Sequence, residues 1–301
     1  MQGLPTTGIA MPSKRRFMQL DVFSRQPLKG NPLAVVIDGD GLDDDTMRAF
    51  ARWTHLSETT FLLPPTSPEA DYRVRIFTPR QELPFAGHPS VGSAYAAIEA
   101  GLVPRTKHAL IQECAAGLLP IRVDGDGVER SIHVQAPPAR VHRVDEELRR
   151  ILGDALQGAL EDGQLRLVDI GPHWLICDLR DASRVRGLVP DLSSVAALCR
   201  KYRAIGVSVF GSERAQDAAM AVRAFCPADD IPEDPVTGSA NAAIMAFLTD
   251  RGAHPYGSRY RASQGREMNR DGYVDVARDP ASGAITIGGD CVATIRGELE
   301  L

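Results

Sequence analysis

The sequence lacks the signatures of several protein classes. It has an odd number of cysteines at wide spacing and no CxxC pair, which argues against a disulfide scaffold or a structural zinc site. We therefore expect reduced thiols and a cytoplasmic location. No apolar run approaches about 18 residues, so no membrane span is expected. Arg15-Arg16 is followed within a few residues by Asp21 and by no apolar stretch, which does not fit an export signal.

The sequence also lacks a strong charge of one sign. The formal net charge is −5 and the isoelectric point is near 5.8, which argues against a nucleic-acid partner. It contains no P-loop, no dinucleotide fingerprint and no HExxH, so no metal site is expected. These absences favour a small molecule as the partner. The length of 301 residues suggests two domains of roughly 150 residues each.

What is present is a turn-rich chain with 27 Gly and 21 Pro. Residues 1–14 are expected to form a flexible leader, and Gln135–Arg140 to form a linker. Alternation and turn residues predict strands at Phe17–Phe23, Leu33–Asp38, Leu56–Leu63, Tyr72–Phe77, Leu118–Val123, Val128–Gln135, Leu165–Asp169, His173–Leu179, Ala204–Phe210, Ala219–Phe225, Ser258–Ser263, Tyr273–Ala277, Ala284–Ile287 and Cys291–Arg296. Capping residues and periodicity predict helices at Asp43–Trp53, Pro89–Ala100, 145–152, Leu192–Tyr202 and Ser239–Arg251.

An internal echo links the two parts of the chain. Gly92–Ile98 recurs 146 positions later as Gly238–Ile244 with six of seven residues identical, although this string is also a common helical one. Phe77-Thr78-Pro79 has a counterpart in Phe225-Cys226-Pro227, which favours duplication. Because the echoed helices carry alanine on most faces, we expect each to be buried inside a curved sheet.

Each echoed helix follows a loop rich in proline and glycine. The first turn of a helix exposes unpaired N–H groups at the positive end of its dipole. Two such starts facing a shared cleft would hold an anion, most simply a substrate carboxylate.

Four side chains near these loops could carry chemistry. Glu58 would share a strand face with Leu56, Thr60 and Leu62, where desolvation raises a carboxyl pKa, but it could equally be a solvated edge residue. His88 directly precedes Pro89 and is expected at the helix N-cap, as a neutral imidazole or simply as a structural residue.

The second loop offers an aspartate and a serine. Asp234 precedes Pro235, so it is either a functional carboxylate or an ordinary turn residue. Ser239 is either a substrate-binding hydroxyl or a helix-capping one.

The motifs together resemble the phenazine-biosynthesis PhzF-like family, which shares its fold with diaminopimelate epimerases and proline racemases. The resemblance runs from about Phe17 to Leu301. It is carried by Asp21-Val22-Phe23, Gly30–Val36, Ser57–Phe61, Phe77-Thr78-Pro79, Glu82–Pro89, Glu233–Ala240 and Gln264-Gly265. After Gln264-Gly265 the chain reads Met268–Gly272, where the family usually continues toward Met-Gly-Arg-Pro-Ser.

The resemblance implies an α+β fold of the diaminopimelate epimerase-like type. It has two pseudo-symmetric halves, each a curled, mostly antiparallel sheet around a central helix. We expect an N-terminal half at 15–135, joined by a last strand at about 286–301, and a C-terminal half at 136–285. The family also implies a homodimer.

The resemblance further implies a cofactor-free isomerase with its site between the halves. Glu58 falls on the catalytic acid/base position, with His88 and Asp234 beside it. Ser239 and the backbone N–H groups of Gly87 and Gly238 would bind a substrate carboxylate. Asn31, Gln264 and Gly265 belong to the same motifs and are assigned to substrate binding.

The epimerase branch of this fold uses two opposed thiols. Neither helix-start loop carries a cysteine here, and the nearest, Cys226, lies eight residues before Asp234. The hypothesis is therefore a single-base proton shift on a small carboxylate. An epimerase or racemase using Glu58, and a non-catalytic binding or scaffold protein, remain as alternatives.

Overall fold

The computed structural model of the chain describes residues 13–213, 217–252 and 255–301. The predicted leader lies outside these residues except at its end, where Ser13 hydrogen-bonds to Leu301 and Lys14 opens the first strand. The strands are β1 (Lys14–Val22), β2 (Asn31–Val36), β3 (Thr59–Leu63), β4 (Tyr72–Phe77), β5 (Glu82–Leu83), β6 (Ala109–Cys114), β7 (Gly117–Asp124), β8 (Ser131–Gln135), β9 (Arg140–His142), β10 (Leu165–Asp169), β11 (His173–Asp181), β12 (Gly206–Ser212), β13 (Met220–Cys226), β14 (Ile231–Asp234), β15 (Arg259–Gln264), β16 (Gly272–Arg278) and β17 (Ile285–Glu300). The helices are α1 (Asp44–Thr54), α2 (Gly87–Glu99), α3 (Glu146–Ala155), α4 (Ala182–Arg186), α5 (Leu192–Tyr202) and α6 (Gly238–Asp250).

Strand pairing forms two curled sheets that share β17. In the first, pairing runs in the order β17, β1, β2, β3, β4, β6, β7, β8 and returns to β17, so the sheet closes on itself. In the second, pairing runs in the order β17, β16, β15, β13, β12, β11, β10, β9. Most pairs are antiparallel. This arrangement is the expected α+β, diaminopimelate epimerase-like fold.

The two sheets repeat one pattern of connections. The parallel pairs β2/β3 and β4/β6 of the first have counterparts in β11/β12 and β13/β15 of the second. The F-x-P turns follow β4 and close β13, and the echoed helices α2 and α6 begin at equivalent points. The two halves therefore repeat one structure, but the echoed strings are out of register in it: Gly92 is the sixth residue of α2, whereas Gly238 is the first residue of α6.

The echoed helices are the cores of the two halves, as predicted. Helix α2 contacts β1, β2, β3, β4, β8 and β17, and α6 contacts β9, β10, β11, β16 and β17. Nearly every residue of α6 from Ala240 to Leu248 is buried. Small side chains on all faces let the surrounding strands approach the helix closely.

Two predicted strand boundaries are wrong, one beside Glu58 and one in the last strand of the chain. Strand β3 begins at Thr59 and not at Leu56, because His55 ends α1 in the left-handed conformation (φ 54°) and the chain bends before Glu58. The two short strands predicted at the C-terminus are one strand, β17. The strand continues through Gly288-Gly289. Glycine is needed at position 288 because a Cβ there would lie 2.3 Å from the His133 ring.

Strands β5, β6, β9 and β14 and helix α4 were missed by the sequence analysis. Across the described ranges, no helix combines the length and apolar character needed to cross a membrane.

Candidate active site

A cavity of about 870 Å³ lies between the starts of the two central helices. Six predicted site residues line it: Glu58, Gly87, His88, Asp234, Gly238 and Ser239. They come from the loop before β3, the first turns of α2 and α6, and the end of β14. The fold thus gathers residues separated by up to 181 positions into one pocket.

The helix starts differ from the prediction by two residues in α2 and by one residue in α6. The N-cap of α2 is Ala86, so His88 is the second helical residue and not the N-cap. Likewise Thr237 is the N-cap of α6, so Ser239 is its second residue and its hydroxyl caps no backbone N–H. His88 and Ser239 therefore occupy equivalent positions in the repeat.

The two helix starts converge on one side chain. A Cβ placed on Gly87 would lie 3.2 Å from Ile287 Cδ1, and one placed on Gly238 would lie 3.0 Å from the same atom. Neither N-cap side chain bonds to its helix. The first-turn N–H groups of both helices are therefore available to an anion in the cavity.

Glu58 and His88 face each other within this pocket. His88 Nε2 lies 3.5 Å from Glu58 Oε2, and the two side chains are only 8% and 17% exposed. Both atoms are buried without a hydrogen-bond partner from the described residues. Buried polar atoms are normally paired, so these two atoms are available to a partner inside the cavity.

Burial sets the protonation states of this pair. It raises the pKa of Glu58 to about 7 and lowers the pKa of His88 to about 4, because a desolvated site disfavours either charged form. Near pH 7, Glu58 is divided between its ionised and neutral forms while His88 is neutral. A carboxyl poised in this way can both accept and return a proton.

Asp234 is the third titratable group of the site. Burial raises its pKa to about 6, opposed by the Thr237 hydroxyl, which donates to Oδ2. The charge of Glu58 raises this pKa further, while His88 and Asn31 lower it.

Asn31, Gln264 and Gly265 do not line the cavity but lie behind Asp234. Asn31 Nδ2 donates to Asp234 Oδ1 at 3.2 Å and to the Val236 carbonyl at 2.8 Å. Gln264 Nε2 donates to the Asp234 carbonyl at 3.0 Å, and its Oε1 accepts from the Thr237 N–H at 3.0 Å. Gly265 has φ of 92°, and a Cβ there would collide with the Pro235 carbonyl. The structure gives these three residues a supporting place around the Asp234 loop.

Three lining residues were not predicted from the sequence: Trp174, Cys199 and Cys226. Trp174 Nε1 donates to Ser239 Oγ at 3.2 Å, which orients that hydroxyl. Burial raises the pKa of Cys199 to about 11 and that of Cys226 well above its usual range. These thiols are therefore protonated near neutral pH and are poor bases. The position of Cys226 in the second F-x-P turn was the available signal.

Among the residues that the structure describes, no group of three or more His, Cys, Asp or Glu side chains could hold a metal ion.

A duplicated fold of the diaminopimelate epimerase-like type, with a buried carboxyl between two helix starts, fits the class of isomerases and epimerases. The family model for phenazine biosynthesis-like proteins (PhzC-PhzF) matches residues 20–297. The chain belongs to this family.

Two relatives illustrate the family. The chain is 37% identical to antisense-enhancing sequence 1 of Schizosaccharomyces pombe, over 95% of this chain and 99% of that protein. It is 35% identical to trans-2,3-dihydro-3-hydroxyanthranilate isomerase of Pseudomonas aeruginosa, over 85% of this chain and 87% of that enzyme. The isomerase relative supports an isomerase or epimerase role for this chain.

Solved structures agree on the fold. A PhzF-family phenazine biosynthesis protein of Bacillus anthracis superposes with a TM-score of 0.83, covering 96% of this chain and all of that one at 24% identity.

Proposed function

We propose that this protein is a cofactor-independent isomerase that moves a proton within a small carboxylate-bearing substrate. The observation that carries the proposal is the unpaired Glu58–His88 pair, 3.5 Å apart in a cavity flanked by two helix N-termini. A base, a neutral donor and an anion-binding surface are the parts that such a reaction needs.

In the proposed step, ionised Glu58 takes a proton from an sp³ carbon of the substrate. The electron pair of the broken C–H bond passes into the adjoining conjugated system. Protonated Glu58 then returns the proton to a conjugated carbon on the same face, which restores the carboxylate. Proton and charge balance without any other reactant.

The other residues would hold the substrate during this transfer. The N–H groups of Gly87, Gly238 and Ser239 would bind its carboxylate at the positive ends of α2 and α6. His88, as a neutral imidazole, would hold a polar substituent by a hydrogen bond, and Asp234 would bind or protonate another. His88 can donate from one ring nitrogen without adding a charge to the pocket.

Incubation in D₂O tests this proposal. The probe is trans-2,3-dihydro-3-hydroxyanthranilate, the compound named for the Pseudomonas relative. We expect product to form, and deuterium to enter it at carbon in those turnovers in which protonated Glu58 exchanges with solvent before it returns the proton; NMR measures both. Absence of deuterium and of product, with binding retained, would favour a non-catalytic binding protein. Inversion at one carbon without a shift of the double bond would favour an epimerase.

A further inference from the structure

Arg200 and Arg203 form a basic rim at the end of α5, and both line the same cavity as Glu58. Both residues are exposed. In the described ranges no ion pair involves either guanidinium, and neither hydrogen-bonds through its side chain. Two unpaired cations therefore border the pocket.

The neighbouring lysine makes an instructive contrast. Lys201 lies between the two arginines in sequence but does not line the cavity, and its Nζ is 3.6 Å from Glu147 Oε1. All three cations suit the negative end of the α5 dipole. Only the cation that faces away from the pocket has a carboxylate partner, so the dipole alone does not explain the unpaired arginines.

The acidic groups of the rim are already occupied. Asp229, which also lines the cavity, pairs with Arg80 at 2.9 Å, and Asp230 pairs with the same guanidinium. These carboxylates partly offset the positive potential at the rim, but they leave no ion pair within 4 Å for Arg200 or Arg203.

The same cavity also has an apolar wall. It is formed by Phe85, Pro137, Ile170, Pro172, Trp174 and Ile205. A volume of about 870 Å³ lies in the range of pockets that hold drug-sized ligands, and exceeds what one small amino acid needs.

We infer that the substrate class is an elongated acid with two anionic groups. One anionic group would bind at the helix starts and the other at Arg200 and Arg203. The apolar body between them would lie along the apolar wall. This inference rests on the proposed function only for its inner carboxylate. Arginine suits the outer position because its planar fork binds carboxylate or phosphate oxygens in pairs.

Binding to the full chain tests the inference, using α,ω-dicarboxylates from glutarate to sebacate against monocarboxylates of equal length. We expect the longer diacids to bind about fivefold to tenfold more tightly than their monoacid partners, with an advantage that shrinks at high salt. Isothermal titration gives both affinities.

The variants are Arg200→Ala and Arg203→Gly, separately and combined. Arg203 adopts a left-handed conformation (φ 54°), which glycine accepts without strain, so this variant should fold normally. The double variant should lose the diacid advantage while its monoacid affinity stays within about twofold. Lys201→Ala is the matched control and should keep the advantage.

Three results would overturn the inference. The first is equal affinity of the unchanged protein for diacids and monoacids. The second is a diacid advantage that remains in the double variant. The third is a loss of the diacid advantage in Lys201→Ala equal to that in the double variant. If neither class of acid binds, the inner carboxylate site fails as well. If the diacid advantage is found but no deuterium exchange occurs, only the proposed function fails.

Discussion

Glu58 and His88 are two buried polar groups whose facing atoms lack partners. Leaving a buried polar atom unpaired costs about 1–3 kcal/mol. At this site the fold bears that cost for both facing atoms, while neighbouring Asp234 is well bonded to Asn31 and Thr237. The unpaired atoms are therefore the part of the site that a substrate would complete.

Replacing Glu58 should change the pH dependence of stability. Its pKa is about 7 in the folded chain against 4.5 as the reference, so folding favours the protonated form. The associated stability is complete below about pH 4.5 and is lost as pH rises through 7, a loss of about 3 kcal/mol. The Glu58→Gln side chain cannot ionise. The free energy of unfolding of this variant should therefore rise relative to that of the natural protein as pH increases across this window, as measured by urea unfolding from pH 4 to 8.

Glu69→Gln is a control, because Glu69 is exposed and shows no interaction with the site. An unchanged difference between Glu58→Gln and the natural protein from pH 4 to 8 would contradict the burial of Glu58.

The pH dependence of kcat/KM should show the pKa of Glu58. If ionised Glu58 is the base, kcat/KM should rise with pH and level off above an apparent pKa near 7. His88 stays neutral throughout, since its pKa is about 4. A pH–rate profile between 5 and 9 measures this limb, and a flat profile across pH 6–8 would remove Glu58 from the base role.

Among the helices, strands and loops, those that carry the site residues could be predicted from the sequence better than the contacts that hold them in place. The echoed Gly-Ser-Ala strings and the Pro/Gly loops located both central helices, because small residues and turn residues are local signals. The sequence pattern predicts Glu58 within a strand, but β3 begins one residue later because the chain bends after α1, which no local pattern shows. The support of Asp234 by Gln264 depends on contacts 30 positions apart, which no local pattern records.

The close packing of α2 predicts a cost for one added methyl group. A Cβ on Gly92 would lie 2.5 Å from Leu33 Cδ2 and 2.9 Å from Val22 Cγ2. Gly92→Ala should therefore destabilise the protein by about 1–3 kcal/mol, although alanine favours helices. Thermal unfolding measures this change.

A glycine in open space provides the comparison. Gly252 follows α6 at φ 62° with nothing near its missing Cβ, so Gly252→Ala tests conformational strain without crowding. Equal melting temperatures for Gly92→Ala and the natural protein would contradict the tight contact between α2 and β1–β2.

The loop that carries Asp234 depends on one buried amide. Gln264→Leu would remove partners from the Thr237 N–H, the Asp234 carbonyl and the Asn241 amide. We expect a loss of about 2–4 kcal/mol and a fall in kcat larger than the rise in KM, because Asp234 would lose its position. Gln264→Glu keeps the acceptor for Thr237 and Asn241 but loses the donor to the Asp234 carbonyl, so it should recover at most the first two bonds. Full activity in Gln264→Leu would contradict this supporting role.

For the whole molecule, β17 is the element that joins the halves. Its first part pairs with β16 and β8, and its last part pairs with β1 along nine residues of that strand. The predicted boundary between 15–135 and 136–285 therefore divides the sequence but not the sheets, because β17 pairs with strands of both. We expect a single cooperative unfolding transition in calorimetry.

Deletion of residues 291–301 tests this link. It removes one of the two partner strands of β1, leaves the first sheet unable to close, and should prevent its folding. Two separate transitions in the full chain, or a folded protein after this deletion, would contradict the shared strand. Light scattering on the same samples tests the homodimer that the sequence predicts.

The central claim is that Glu58 transfers the proton, and deuterium incorporation by Glu58→Gln tests it most directly. The natural protein and the variant are compared in D₂O with trans-2,3-dihydro-3-hydroxyanthranilate, after circular dichroism shows that both are folded. We expect the variant to incorporate deuterium roughly 10²–10⁴-fold more slowly at comparable substrate binding. Equal rates in the two proteins would contradict the claim.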